Sequence, residues 1–256
     1  DPLKIPGSDV TDNNDGMWSW SYTPTDNGTG SVTVTASDGR GGTATNTFNW
    51  TADNVAPDVT ITAPADGALY TVNATVSLSA AYTDPGSADT HTYSIDWDDS
   101  SANDTKAASG GTVSGSHAYA LPGVYTIDVT VTDDDGGFDT ESVMIVVYDP
   151  NGGFVTGGGW IMSPAGAYKA DETLAGKATF GFVAKYKKGA NVPDGNTEFQ
   201  FKAGNLNFHS TSYEWLVVAG TKAQFKGIGA INGQGTGKFM ITADDDSPDK
   251  FRIQIW

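Results

Sequence analysis

Apolar and polar residues alternate with a period of two through most of this chain. Trp18-Ser19-Trp20-Ser21-Tyr22 sets three aromatic rings on one face of an extended segment, and Val32-Thr33-Val34-Thr35-Ala36 alternates small apolar side chains with threonine. Successive side chains of a strand point to opposite faces, so this period predicts half-buried strands. Turn chemistry follows at once in Ser37-Asp38-Gly39-Arg40-Gly41-Gly42, after which Phe48 and Trp50 resume the pattern. Asp53-Asn54-Val55-Ala56-Pro57-Asp58 reads as a linker, since Pro57 cannot donate to a sheet ladder. Further strands are predicted over 59–61, 76–80, 93–97, 124–132 and 141–147. After residue 150 the alternation returns in Phe180-Gly181-Phe182, Phe199-Gln200-Phe201, Leu206-Asn207-Phe208, Phe239-Met240-Ile241 and Phe251-Arg252-Ile253-Gln254-Ile255. About eight strands are expected there, in a closed or nearly closed antiparallel sheet. By this pattern Trp18, Trp20, Trp50, Trp97 and Trp215 belong to cores, while Trp160 and Trp256 sit beside glycine-rich or terminal segments.

Charge sharpens the division. Residues 1–150 carry 22 acids and 3 bases, net −19, and residues 151–256 carry 9 acids and 11 bases, net +2, which together return the chain's −17. The step argues for a boundary near residue 150. An acidic surface repels phosphate backbones, so nucleic acid is excluded as a partner. No apolar run reaches the ~20 residues of a membrane helix, so insertion by a helix is not expected. With no cysteine among 256 residues, each fold must hold without disulfides and needs a full core. The abrupt Asp1-Pro2 opening reads as a mature fragment of an exported protein.

Two stretches carry a specific resemblance. Tyr93-Ser94-Ile95-Asp96-Trp97-Asp98-Asp99-Ser100, and above all the run from His117-Ala118-Tyr119 through Pro122-Gly123-Val124-Tyr125 to Asp133-Asp134-Asp135-Gly136, resemble the PKD domain, an immunoglobulin-like β-sandwich. The first match lacks the family's two glycines. Asp15-Gly16-Met17-Trp18-Ser19-Trp20-Ser21-Tyr22-Thr23-Pro24 and residues 32–42 resemble the last part of a bacterial immunoglobulin-like repeat, with about three strands where a sandwich needs about seven. Gly157-Gly158-Gly159-Trp160-Ile161, residues 176–182, 196–210 and 249–253 resemble the post-COAP domain of bacterial surface proteins, whose members usually continue past the position of Trp256. Together these imply tandem immunoglobulin-like β-sandwiches followed by an antiparallel β-sandwich or barrel-like domain, divided as 1–55, 56–149 and 150–256.

Candidate chemistry is sparse. His91, His117 and His209 lie far apart, and no serine stands in a Gly-x-Ser-x-Gly elbow, so no catalytic residue is assigned. His117 belongs to the PKD pattern, His209 is expected to face solvent, and His91 falls in a polar loop. Calcium is the cofactor that the oxygen-rich loops suit. The ligand candidates are Asp12, Asn14 and Asp15 before Gly16; Asp53, Asn54 and Asp58 at the first junction; and Asp133 and Asp135 before Gly136. Ordinary Asx turns account for the same residues. Trp160 with Lys185, Lys187 and Lys188 forms the candidate ligand-binding set, suited to anionic polymer or to an acidic neighbour.

The expected role is a non-enzymatic, extracellular structural or adhesive module of a larger surface or secreted protein, such as a filament or stalk subunit. Its partners would be other copies of itself or other surface proteins. The alternative is a carbohydrate-binding accessory region of a secreted hydrolase, with polysaccharide as ligand.

Overall fold

A computed structural model describes residues 8–12, 18–37 and 39–256, with the backbone alone for 8–12 and 18. The described residues are all-β, with no α-helix among them. They gather into two compact units, one of residues 1–63, 77–115 and 127–142, the other of 64–76, 116–126 and 143–256.

In the first unit, β1 (Ser8–Asp12) and β2 (Trp18–Tyr22) form one antiparallel pair, and β3 (Gly28–Ser37) and β4 (Thr43–Ala52) form another. Aromatic rings from β2 and β4 meet. Trp20 lies edge-on to Phe48 at 5.5 Å between centroids, and Tyr22 to Trp50 at 5.1 Å. No described side chain between residues 19 and 56 is buried. The expectation that Trp20 and Trp50 fill a core is therefore corrected. Both are half-buried, because two hairpins give a single line of ring contacts and not two covered faces. Trp97 and Trp215 do fill cores, at 2% and 3% exposure.

The next eight strands are β5 (Asp58–Ala63), β6 (Ala68–Thr71), β7 (Thr75–Thr83), β8 (His91–Asp96), β9 (Asp104–Ala108), β10 (Thr112–Ala118), β11 (Gly123–Asp133) and β12 (Phe138–Tyr148). They make two sheets, in the orders β10-β7-β5 and β6-β12-β11-β8-β9. Strand β7 alternates exposed and buried at every position, with Val76, Leu78, Ala80 and Tyr82 inward. Val129 and Val131 of β11 stand opposite Ile95 and Tyr93 of β8. This alternation makes two faces from one strand; Asp139 and Glu141 of β12 accept the N–H groups of Val59 and Ile61 in β5. The sequence pattern anticipated five of these strands and missed β6, β9 and β10.

In the second unit, β13 (Phe154–Ser163), β14 (Gly176–Tyr186), β15 (Pro193–Phe201), β16 (Leu206–Ala219), β17 (Lys222–Ile231), β18 (Gln234–Asp244) and β19 (Lys250–Ile255) form one antiparallel sheet in sequence order. There are seven strands where about eight were expected. The sheet curls until a side chain of its second strand touches one of its last. Phe180 of β14 stacks on Phe251 of β19 at 3.6 Å and 3°. Phe201, Phe208, Phe225, Phe239, Leu216 and Ile241 fill the interior at 2% exposure or less. A second apolar cluster joins Val146 and Tyr148 of β12 to Trp215 and Val217 of β16, with Tyr186 stacked on Tyr148 at 5.3 Å. The Tyr186 hydroxyl donates to the Leu216 carbonyl and accepts from the Leu216 N–H, and burial pushes its pKa up to about 12.

Candidate functional site

The first unit brings carboxylates together from three separate loops. The β11–β12 turn supplies Asp133, Asp134 and Asp135. Asp133 is 5% exposed, and its Oδ1 accepts the N–H groups of Asp135 at 3.0 Å and Gly137 at 2.7 Å. Its Oδ2 accepts Nδ2 of Asn54 at 2.9 Å. Residue 137 must be glycine for this approach, since a Cβ there would stand 2.5 Å from Asp133 Oδ2 and 2.8 Å from Asn54 Nδ2.

The β7–β8 loop, Asp84-Pro85-Gly86-Ser87-Ala88-Asp89, supplies two more. Asp84 closes an Asx turn by accepting the Gly86 N–H at 2.7 Å, and its Oδ2 lies 2.9 Å from His91 Nε2. Both side chains are buried, and the His91 ring packs on Tyr82. His91 is thus the first residue of β8, tied to an aspartate, where a polar loop was expected. The β2–β3 loop supplies Asp26, and its neighbour Thr25 accepts the Ala88 N–H at 2.9 Å.

Two overlapping triads result, Asp26–Asp89–Asp135 and Asp84–Asp89–Asp133, in each of which one oxygen per residue lies within 4.8 Å of the others. Asp89 belongs to both. Its Oδ1 is buried and has no hydrogen-bond partner among the described residues. Burial, and then the charges of Asp26, Asp84, Asp134 and Asp133, hold its carboxyl above the usual carboxylate range. Asp134 moves the other way, because the Thr90 N–H donates to it at 2.9 Å and favours its charged form.

This donor set fits calcium. The ion takes oxygen ligands at about 2.4 Å, so oxygens that share one ion stand at most about 4.8 Å apart. Five carboxylates, Asp26, Asp84, Asp89, Asp133 and Asp135, meet that condition in two groups. Zinc prefers sulfur and imidazole donors, and neither group contains them.

Of the residues expected to bind calcium, Asp133 and Asp135 lie in this cluster. Asn54 reaches it through Asp133. Asp53 and Asp58 are exposed and stand outside both triads. Asn14 and Asp15, and the side chain of Asp12, lie outside the described residues. Asp26, Asp84 and Asp89 were not anticipated. Asp84-Pro85-Gly86 reads as an ordinary turn, and nothing local to Asp26 says that its loop faces residue 89.

The other candidates do not converge. Trp160 is 59% exposed on β13, with Lys177 Nζ 4.7 Å above its ring. Lys185, Lys187 and Lys188 are exposed about the β14–β15 turn, and Lys187 pairs with Asp194. Trp256 is 58% exposed. His117 packs edge-on against Tyr119, and the exposed His209 lies 3.5 Å from Glu198.

Comparison with known proteins agrees with two of the three resemblances. Residues 54–147 match the family model of the PKD domain, and residues 2–51 that of a bacterial Ig domain. None of the curated proteins matches the chain. Among solved structures, the chain is similar to one titled as a Ca2+-stabilized adhesin that helps an Antarctic bacterium reach out and bind ice. The identity is 12% over 95% of this chain and 84% of that one, and the TM-score is 0.26. So low a score carries no argument about this chain.

Proposed function

We propose that this chain is a non-enzymatic structural or adhesive module of a surface or secreted protein, and that calcium stiffens the join between its first 55 residues and the sandwich that follows. One observation carries the reading: Asp26, from the β2–β3 loop, shares a triad with Asp89 and Asp135 of the sandwich loops. The stretch 19–56 buries no side chain of its own. Its position is therefore set by contacts such as Ala88 N–H to Thr25 and Asn54 to Asp133. An ion bound by Asp26, Asp89 and Asp135 would replace mutual repulsion with attraction there. The apolar seat of Trp215 against Tyr148 needs no ion.

Such a module would act in an extracellular setting, where millimolar calcium suits sites of modest affinity. Its partners would be further copies or other surface proteins, arranged as a stalk or filament. A second reading, binding of polysaccharide, is favoured by the exposed Trp160 ring beneath Lys177.

Thermal unfolding of the intact chain tests the proposal. Calcium should raise the melting temperature, and Asp26→Asn should shrink that rise. Identical melting curves in calcium and in chelator would overturn it.

A further inference from the structure

The seven-stranded sheet of the second unit has two edges, β13 and β19. Every neighbouring pair in it is antiparallel. With seven strands, the first and last must then run in the same direction. Parity therefore says what the gap between them accepts: one strand, antiparallel to both, making an eight-stranded closed sheet. A hairpin would restore the mismatch.

One cavity of about 630 Å³ runs along residues 154–161 of β13 and reaches β19 at Lys250 and Phe251, with Asp244, Asp245 and Asp249 at its β18–β19 end. No backbone hydrogen bond joins β13 to β19 among the described residues. The floor is already filled. Gly157 stands opposite Phe182 and Gly159 opposite Phe180, and a Cβ on Gly157 would meet the Phe182 ring at 2.6 Å. The glycines thus let the β14 rings lean across β13 to the stack with Phe251. Edge strands normally carry charges or proline against unwanted pairing, and Phe154–Ser163 carries neither. On the solvent face of β19, Lys250 and Arg252 are exposed.

We propose that the gap between β13 and β19 is a docking site for a single extended polypeptide strand, antiparallel to both edges, with small apolar residues inward and carboxylates outward beside Lys250 and Arg252. Backbone pairing along both edges supplies affinity, as in strand addition to an open sheet. The stacked Phe180 and Phe251 rings restrict inward positions to small side chains; Lys250 and Arg252 favour acidic outward positions along β19, while Asp244, Asp245 and Asp249 disfavour them at the β18–β19 end of the cavity. This proposal is independent of the calcium reading.

The probe is a synthetic ten-residue peptide that alternates alanine and valine with aspartate and threonine, added to the intact chain and followed by amide hydrogen exchange. The expected result is protection of both β13 and β19. Reversing the charges with K250E/R252E should weaken binding by about tenfold, since two cross-strand pairs turn repulsive. A peptide with lysine in place of aspartate should then regain it. No binding, protection of one edge alone, or failure of the charge swap overturns the proposal. So does protection that grows with protein concentration without peptide, which would assign the gap to a second copy.

Discussion

Asn54 Nδ2 donates a 2.9 Å hydrogen bond to Oδ2 of Asp133, a residue 79 positions further along the chain. The linker is thereby fastened to the turn that ends β11, and Gly137 leaves room for the contact. The same Asp133 belongs to a triad with Asp84 and Asp89. One side chain therefore serves both the join and the candidate ion site. Removing the room removes the join: Gly137→Ala should break the Asn54–Asp133 bond and destabilise the first unit by about 1–3 kcal/mol, through a displaced turn and an unmade hydrogen bond to a charged group. Urea unfolding of the variant checks this.

Asp89 gives a sharper test, because its substitution should have opposite effects in two solutions. In chelator at neutral pH, Asp89→Asn removes a charge that faces four other carboxylates. The variant should melt higher than the wild type. In millimolar calcium it lacks a shared ligand and should melt lower, with calcium affinity reduced by about tenfold or more. A variant that shifts the same way in both solutions would show that the cluster binds no ion.

The pH dependence follows from the raised pKa of Asp89. A carboxyl whose folded pKa exceeds its unfolded value binds its proton more tightly when folded. Its contribution is fully present below the unfolded pKa and is lost as pH rises through the folded one. In chelator, acidification from about pH 7 toward pH 4 should therefore close the gap in melting temperature between wild type and Asp89→Asn. Protons and calcium compete for the same oxygens, so calcium binding should weaken over that interval. Differential scanning fluorimetry across a pH series reads both.

Tryptophan substitutions should separate seated rings from lined-up ones. Trp215 is 3% exposed against Val146 and Tyr148, and Trp215→Ala should cost about 3–5 kcal/mol. Trp20, half-buried against Tyr22 and Phe48, should cost well under half of that when replaced by alanine. Chemical unfolding of each variant gives the comparison.

Phe251→Ala should loosen the last strand. The ring stacks on Phe180 at 3.6 Å and lies 6.0 Å from Phe182, and among the described residues no backbone hydrogen bond ties β19 to β13. A loss of about 2–4 kcal/mol is expected. Faster amide exchange in β19 than in β16 would place the loss at the seam.

Much of this fold is legible in the alternation of side chains. Val76, Leu78 and Ala80 are buried in turn along β7, and each was readable from its spacing because a strand has two faces. Trp20 and Trp50 have the same spacing yet stay half-buried. Alternation says which way a ring points, not whether another layer covers it. The last strand of the curled sheet was readable from Phe251-Arg252-Ile253-Gln254-Ile255, but the strand count was one too high and the open seam was not readable, since closure depends on strand number and the direction of both ends. The aspartate cluster was legible in part. Asp133 and Asp135 stand before Gly136 in a recognisable oxygen-rich turn. Asp26, Asp84 and Asp89 converge only through tertiary contacts, and a turn-forming aspartate looks the same in sequence whether or not it meets others.

Whether an ion completes the join at Asp26, Asp89 and Asp135 is read by isothermal calorimetry, with calcium titrated into the intact, chelator-stripped chain. Saturable binding near a Kd of ~10⁻⁴ M, lost in Asp89→Asn and weakened in Asp26→Asn, is the predicted result. Absence of heat up to several millimolar calcium, or binding that neither substitution changes, would contradict it.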